Sequence, residues 1–273
     1  MSERYDAWVG RAETVTDRVD PWPAAALTAA LGRGDAPQAG EPLPPYWHHL
    51  YTRKIVAAAE TGPDGHPRRS DLLPPAPGRR MWAGGRVVWY RPLRVGEPVE
   101  RLSTVRAVTE KAGRSGPLVF VLLEHRYSSG GELALVEEQD VVYREGAASG
   151  TAPPAPSEAS WQRAWQPDPV LLFRYSALTY NGHRIHYDQA YAREVEGYPG
   201  LVVHGPLLAT FMLDLLRRET PGLELQRFSF RAVSAMLVNR PCTAQGTATS
   251  NGAQLWIAHE NGTLAMSGEV EGR

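Results

Sequence analysis

Apolar and polar positions change texture along the chain, and the change happens twice. Residues 24–31 carry apolar side chains suited to a helix, introduced by Asp20 and Pro21, an N-cap and first-turn signal, and closed by Gly32. Runs rich in Val, Leu and Thr follow at 86–90, 99–109, 118–127 and 133–143, with turn signals at 113–117 and 128–131. A longer helix is predicted at 205–218, opened by Gly205-Pro206 and stopped by Thr220-Pro221-Gly222, with Leu207, Leu208, Phe211, Met212 and Leu215 at helical spacing. Strand-like runs then recur at 225–232, 242–249, 255–259 and 264–270, parted by Asn251-Gly252 and Asn261-Gly262, strong hairpin cues. The pattern predicts an α+β chain of two curved antiparallel sheets, each wrapped around a helix and lying side by side.

The remaining stretches fill in this plan. A short strand is expected within 8–19, and another at 173–178, followed by a turn at Asn181-Gly182 and one or two helical turns within 183–193. The aromatic run 46–51 reads as a plug closing one end of a core, since aromatic clusters usually supply buried area. Its His48 and His49 are adjacent and lack a third ligand at metal-site spacing. Residues 60–80 form a long loop with arginines at 68, 69, 79 and 80, suited to meeting a ligand phosphate or to remaining solvated. Small residues and prolines at 145–169 have linker composition, which places one half at 1–146, the linker at 147–169 and the other half at 170–273.

With 273 residues the chain suffices for this core, and a net charge of −1 gives no electrostatic reason to bind nucleic acid or an anionic membrane. A single cysteine, Cys242, excludes an internal disulfide and suits a reducing cytoplasm; beside Pro241 it reads as a small buried filler. The N-terminus lacks a secretory pattern and no apolar run spans a membrane, so the expectation is a cytoplasmic protein.

Candidate chemistry concentrates between 173 and 218, where Asn181, His183, His186 and His204 stand beside the most apolar helix. The segment Asn181-Gly182-His183-Arg184-Ile185-His186 resembles the hydratase motif of the MaoC-like, R-specific enoyl-CoA hydratase family. Val203-His204-Gly205 before an apolar helix is similar to that family's helix start. A closer likeness is to the subgroup with an N-terminal dehydratase-like half, which includes hydroxyacyl-thioester dehydratase type 2 and mesaconyl- and itaconyl-CoA hydratases. It is carried by 173–179 leading into Asn-Gly-His-Arg-Ile-His-Tyr-Asp, by Met81-Trp82-Ala83-Gly84 and by the run 115–120. The resemblance implies a double hot-dog fold, with a catalytic C-terminal half and a non-catalytic N-terminal half that supplies pocket wall. It also implies reversible hydration of an enoyl thioester, carried by CoA or acyl carrier protein, to the 3-hydroxyacyl thioester.

Such a reaction needs a base for water, an acid for the α-carbon and a donor for the enolate oxygen. His186 suits the proton work because an imidazole titrates near working pH. Gly205 suits the third task, since a helix N-terminus presents unpaired N–H groups and positive potential. Asn181 falls where the family has its acid; an amide holds water but cannot take its proton, which leaves His186 to act alone as acid and base. His183 reads as structural or substrate-orienting, and His204 as a cap of the helix start. No metal or cofactor is called for, and a homo-oligomer is compatible with the pattern. Two rivals stay open: a hot-dog thioesterase, and a non-catalytic thioester-binding partner.

Overall fold

The computed structural model describes residues 4–113, 116–145 and 151–273. The turn at 113–117 and the Ser115 end of the 115–120 run lie partly outside these residues, as does the expected boundary at 146.

Ten strands form a single antiparallel sheet. The first half supplies β1 (Ala12–Arg18), β2 (Arg79–Trp89), β3 (Pro98–Gly113), β4 (Gly116–Ser129) and β5 (Glu132–Arg144). The second supplies β6 (Trp161–Trp165), β7 (Leu225–Ala232), β8 (Cys242–Thr249), β9 (Gly252–His259) and β10 (Leu264–Gly272). Their order is β1-β3-β4-β5-β2-β7-β10-β9-β8-β6, so each half follows the same path and the halves meet where β2 pairs with β7. At that seam Gly84 has φ +159°, and a Cβ there would lie 2.4 Å from the Phe230 carbonyl oxygen. The close strand approach therefore requires glycine.

The helices repeat too. Helices α1 (Pro21–Ala30) and α2 (Pro169–Leu178) each follow the first strand of their half and begin at an Asp-Pro pair. Asp20 accepts from the Trp22 N–H at 2.8 Å and Asp168 from the Leu171 N–H at 2.7 Å, each filling one orphan donor of a first turn. The strand expected at 173–178 is thus the end of α2: the Asp168-Pro169 start signal outweighs the strand-like run Phe-Arg-Tyr-Ser. Likewise β6 lies inside the stretch read as linker. It pairs with β8 as an edge strand, with Trp161, Arg163 and Trp165 on its half-buried face, behind the proline-rich composition of 151–160.

After α2 come a 3-10 turn at Arg184–His186, the short α3 (Gln189–Glu194) and α4 (Gly205–Glu219). Helix α4 is buried from Leu207 to Leu216 because the second sheet curls around it, meeting it through β6, β8, β9 and β10. One charged residue of α4 faces that core: Asp214 is 6 % exposed and pairs with both Arg33 and Arg163, tying α4 to each half. The first half has no equivalent of α4 among its described residues, contrary to the expectation of a helix within each sheet. Helix α1 is the counterpart of α2, and the place of α4 is taken by the 3-10 turn Trp47–Leu50. The plug reading of 46–51 holds, for Tyr46, Trp47, Leu50 and Tyr51 all belong to the main core.

Candidate active site

The 181–186 segment is shaped by its own backbone. Tyr180 adopts a left-handed conformation at φ 50°, and the Asn181 N–H then donates to Ser176 O at 2.9 Å. Asn181 Oδ1 accepts from the His183 N–H at 3.0 Å, so this side chain holds the turn with its oxygen and keeps only its NH2 free. The following 3-10 turn is anchored to the chain before α4, with the Val202 N–H donating to Ile185 O at 3.0 Å. In the other direction His186 Nδ1–H donates to Val202 O at 2.7 Å. That bond fixes the tautomer of His186 and leaves Nε2 as a lone-pair acceptor.

His186 stacks on His204, with ring centroids 3.6 Å apart, and meets the edge of His183 at 5.6 Å. His204 immediately precedes Gly205, so the lone pair and the opening of α4 are neighbours. In the first turn the Leu207 and Leu208 N–H groups both bond back to His204 O, and Pro206 has no N–H. The amide of Gly205 is left as the available donor at that end. His204 itself is no side-chain cap, contrary to expectation: its Nε2 lies 2.8 Å from Ser176 Oγ, and its buried Nδ1 has no partner among the described residues.

Desolvation sets the charge state of this cluster. Burial pushes His186 down to about 4 and His204 well below the usual range. Burial, helped by His66 and His186, takes His183 to about 2. At neutral pH these rings are uncharged, as a base must be before it acts.

The first half packs against this segment from two sides. Trp82 of β2 lies against the start of α4, and a Cβ on Gly205 would come within 2.5 Å of its ring. Gly205 thus makes room for an indole, and Trp82 in turn stacks on Phe230 with centroids 4.8 Å apart. The 60–80 loop packs directly on the 181–186 segment: Arg184 N–H donates to Asp64 O at 2.9 Å and Arg184 Nη1 to Pro63 O at 3.0 Å. It brings His66 to 4.2 Å from His183. Arg80 lies near enough to lower both His66 and His183, and among the described residues no carboxylate pairs with it. The loop's length signalled function, but no spacing in sequence joins 64–66 to 183. Arg79, by contrast, pairs with Glu196.

His186 is 7 % exposed, and two surface clefts lie elsewhere. One of about 320 Å³ borders Leu201 and residues 237–240. Cys242 is buried and pushed up to about 12 by that burial, as befits a filler.

The chain is similar over 97 % of its length to a solved Mycobacterium tuberculosis protein described as having a double hot-dog fold, at 12 % identity, a TM-score of 0.63 and 96 % coverage of that chain. With the repeated strand order this makes the architecture a double hot-dog. The chain belongs to the hydroxyacyl-thioester dehydratase type 2 family, whose model matches residues 46–238. It is 42 % identical to the mesaconyl-C(4)-CoA hydratase of Chloroflexus aurantiacus, over 99 % of this chain and 98 % of that one. It is 29 % identical to the mitochondrial hydroxyacyl-thioester dehydratase type 2 of Schizosaccharomyces pombe, covering 79 % and 80 % of the two chains.

Proposed function

We propose that this protein is a hydro-lyase that reversibly adds water to an enoyl-CoA, with His186 as the base for water and the Gly205 amide as donor to the enolate oxygen. The observation that carries the reading is the pairing of His186 with the opening of α4. Its Nδ1–H is committed to Val202 O at 2.7 Å, and its ring lies 3.6 Å from that of the residue before Gly205. In hydration a water O–H bond breaks and its proton goes to His186 Nε2, while the water oxygen bonds to the β-carbon. The π electrons move toward the thioester oxygen, where the Gly205 N–H offsets the growing charge. Asn181 holds the turn with its oxygen and offers its NH2 to substrate or water. His183 and His204 form the polar floor on which the thioester lies.

The acyl group we propose carries a second carboxylate. The relative at 42 % identity is a mesaconyl-C(4)-CoA hydratase, and Arg80 is a cation at the site without a carboxylate partner among the described residues. Arginine suits that role because its fork matches a carboxylate. Coenzyme A is the carrier proposed on the same relative, and a cytoplasmic location is proposed from the lone cysteine. No helix among the described residues is long and apolar enough to cross a membrane.

The test is a panel of enoyl and 3-hydroxyacyl thioesters on CoA and on acyl carrier protein, with and without a free carboxylate. Conjugated-thioester absorbance is followed together with free thiol. Loss of absorbance without thiol release, fastest on the dicarboxylic CoA substrate, is expected. Stoichiometric thiol release marks a thioesterase, and binding without turnover marks a carrier-binding protein.

A further inference from the structure

The 181–186 segment has an amide where the hydratase motif it resembles carries its acid, and the structure sets a carboxylate against the same imidazoles from the other half of the chain. Asp64 Oδ2 accepts from His66 Nδ1–H at 3.0 Å, and Asp64 Oδ1 accepts from the His66 backbone N–H at 3.0 Å. A ring nitrogen of His66, a ring nitrogen of His183 and an oxygen of Asp64 all lie within 4.8 Å of one another. The contact is built into the backbone. Gly65 sits at φ +88°, and a Cβ there would fall 1.7 Å from Gly182 O. The Gly62 N–H closes the loop onto His66 O at 2.6 Å.

We infer that His66, oriented by Asp64, is a second acid–base residue of the hydratase, and that it delivers the proton to the α-carbon. This rests on the hydratase reading above. His186 takes the proton of the adding water; the imidazolium of His66 gives its Nε2 proton to the α-carbon as the enolate collapses. His186 then loses its proton to solvent and His66 regains one, so the net change is one water added. Asp64 is a positioning residue: it holds Nδ1–H, aims Nε2 away from itself and offsets the charge of the imidazolium. His66 suits solvent exchange better than His186, its side chain being 20 % exposed.

The surroundings set the charge state of each partner. Burial raises Asp64, but the ring and backbone hydrogen bonds from His66 outweigh it and keep the carboxyl well below the usual range, so the group is ionised. Burial, joined by Arg80, holds His66 below its usual range although Asp64 raises it, so the imidazolium is the minor form at neutral pH and gains as pH falls. The other charged or titratable groups facing this cluster among the described residues are His183, His186, Glu196 with its partner Arg79, Tyr191, and Arg184 paired with Asp188. Arg80 also argues against a dication among Asp64, His66 and His183, since it places a positive charge beside them.

The experiment is the pH profile of kcat and kcat/KM for the wild type, His66→Asn, Asp64→Asn and Asp64→Glu, on the best thioester of the panel. Failure of the wild type to turn over any member sinks the hydratase reading itself. Given an active wild type, His66→Asn is expected to lose about a hundredfold or more in kcat with KM little changed. The fall in rate at high pH, which marks an acid that must be protonated, should vanish with it. Asp64→Asn should move that fall to lower pH, Asp64→Glu should restore it, and the double variant should be no slower than His66→Asn. Should His66→Asn not fold, His66→Gln takes its place in the same profile. An unchanged high-pH limb in the His66 variant overturns the inference. So does activity that is lost on dialysis against EDTA and restored by zinc alone, for the three residues would then be metal ligands.

Discussion

The two halves of this chain share a strand path and differ in what lies inside the curl. In the second half the sheet closes on α4, whose buried span from Leu207 to Leu216 is apolar except for Thr210 and Asp214. In the first, the equivalent space holds the four-residue turn Trp47–Leu50 and a layer of buried polar groups. There Glu137 is 1 % exposed and lies 3.1 Å from His48 Nε2, His125 bonds Ser103 at 2.7 Å, and His49 bonds the Tyr175 hydroxyl at 2.6 Å. The first half's one α-helix among the described residues, α1, has its N-terminus capped by the Asp20 carboxylate, whereas the Gly205 amide at the start of α4 is left as a donor. What the first half adds is reach: the long connection into β2 lies over the other half's histidines. One fold repeated twice thus differs in its interior, a long helix in one half and a polar layer in the other.

That division is most sharply tested by exchanging histidines. His186→Ala should lower turnover by about two to four orders of magnitude while unfolding little changed, whereas His48→Gln should weaken the fold and leave turnover of the folded fraction nearly intact. Steady-state rates beside denaturant curves separate the two, and equal effects on both quantities would erase the distinction.

Next in size is the tie between halves. Asp214→Ala leaves Arg163 without its carboxylate and Arg33 with Asp35 alone, and breaking a buried pair of this kind costs about 3–5 kcal/mol. The lower end applies here because the Arg163 side chain is 24 % exposed. Removing the Glu224–Arg273 pair at the surface should leave the denaturation midpoint where it was.

A third test uses pH. His186 and His125, each held near 4 by burial, stand for the polar interiors of the two halves. A histidine depressed in the folded state takes up its proton more readily when unfolded, so its contribution is complete above about pH 6.5 and is lost as pH falls toward 4. Thermal midpoints should therefore fall progressively below pH 6.5, and His125→Gln should flatten that dependence without touching catalysis.

The seam between the halves supplies a smaller effect. Gly205→Ala pushes a methyl into the Trp82 ring, so it should slow turnover, and Trp82→Leu in the same chain should recover part of the loss. Recovery would show that the indole, rather than the amide, responded to the methyl. Smallest of all, Asp20→Ala and Asp168→Ala should each destabilise by about 1 kcal/mol, since both cap the same helix in their own half.

Much of this was legible from residues alone. The strands at 225–232 and 242–249 stand where alternation and Asn-Gly turns put them, and the helix from Gly205 follows from its proline and its apolar spacing. Alternation misled at 173–178, because Phe173-Arg174-Tyr175-Ser176 alternates in sequence while burial of Leu172, Tyr175 and Ser176 follows helical spacing. The edge strand β6 was masked by the prolines before it. In the candidate site, Asn181, His183, His186, His204 and Gly205 do come together, but what each contacts could not be read: Asn181 turned to a backbone amide, and His204 to Ser176. Asp64, His66 and Trp82 were invisible as partners because the pairings that bring them in run across the seam between halves.

The measurement closest to the central claim is a mass analysis of the reaction in heavy water with wild type and His186→Ala. The account predicts that the wild type makes a 3-hydroxyacyl thioester with one deuterium fixed at the α-carbon and no free thiol, and that the variant forms almost none of it. A free acid and thiol from the wild type, or the same labelled product at a near-normal rate from His186→Ala, would contradict it.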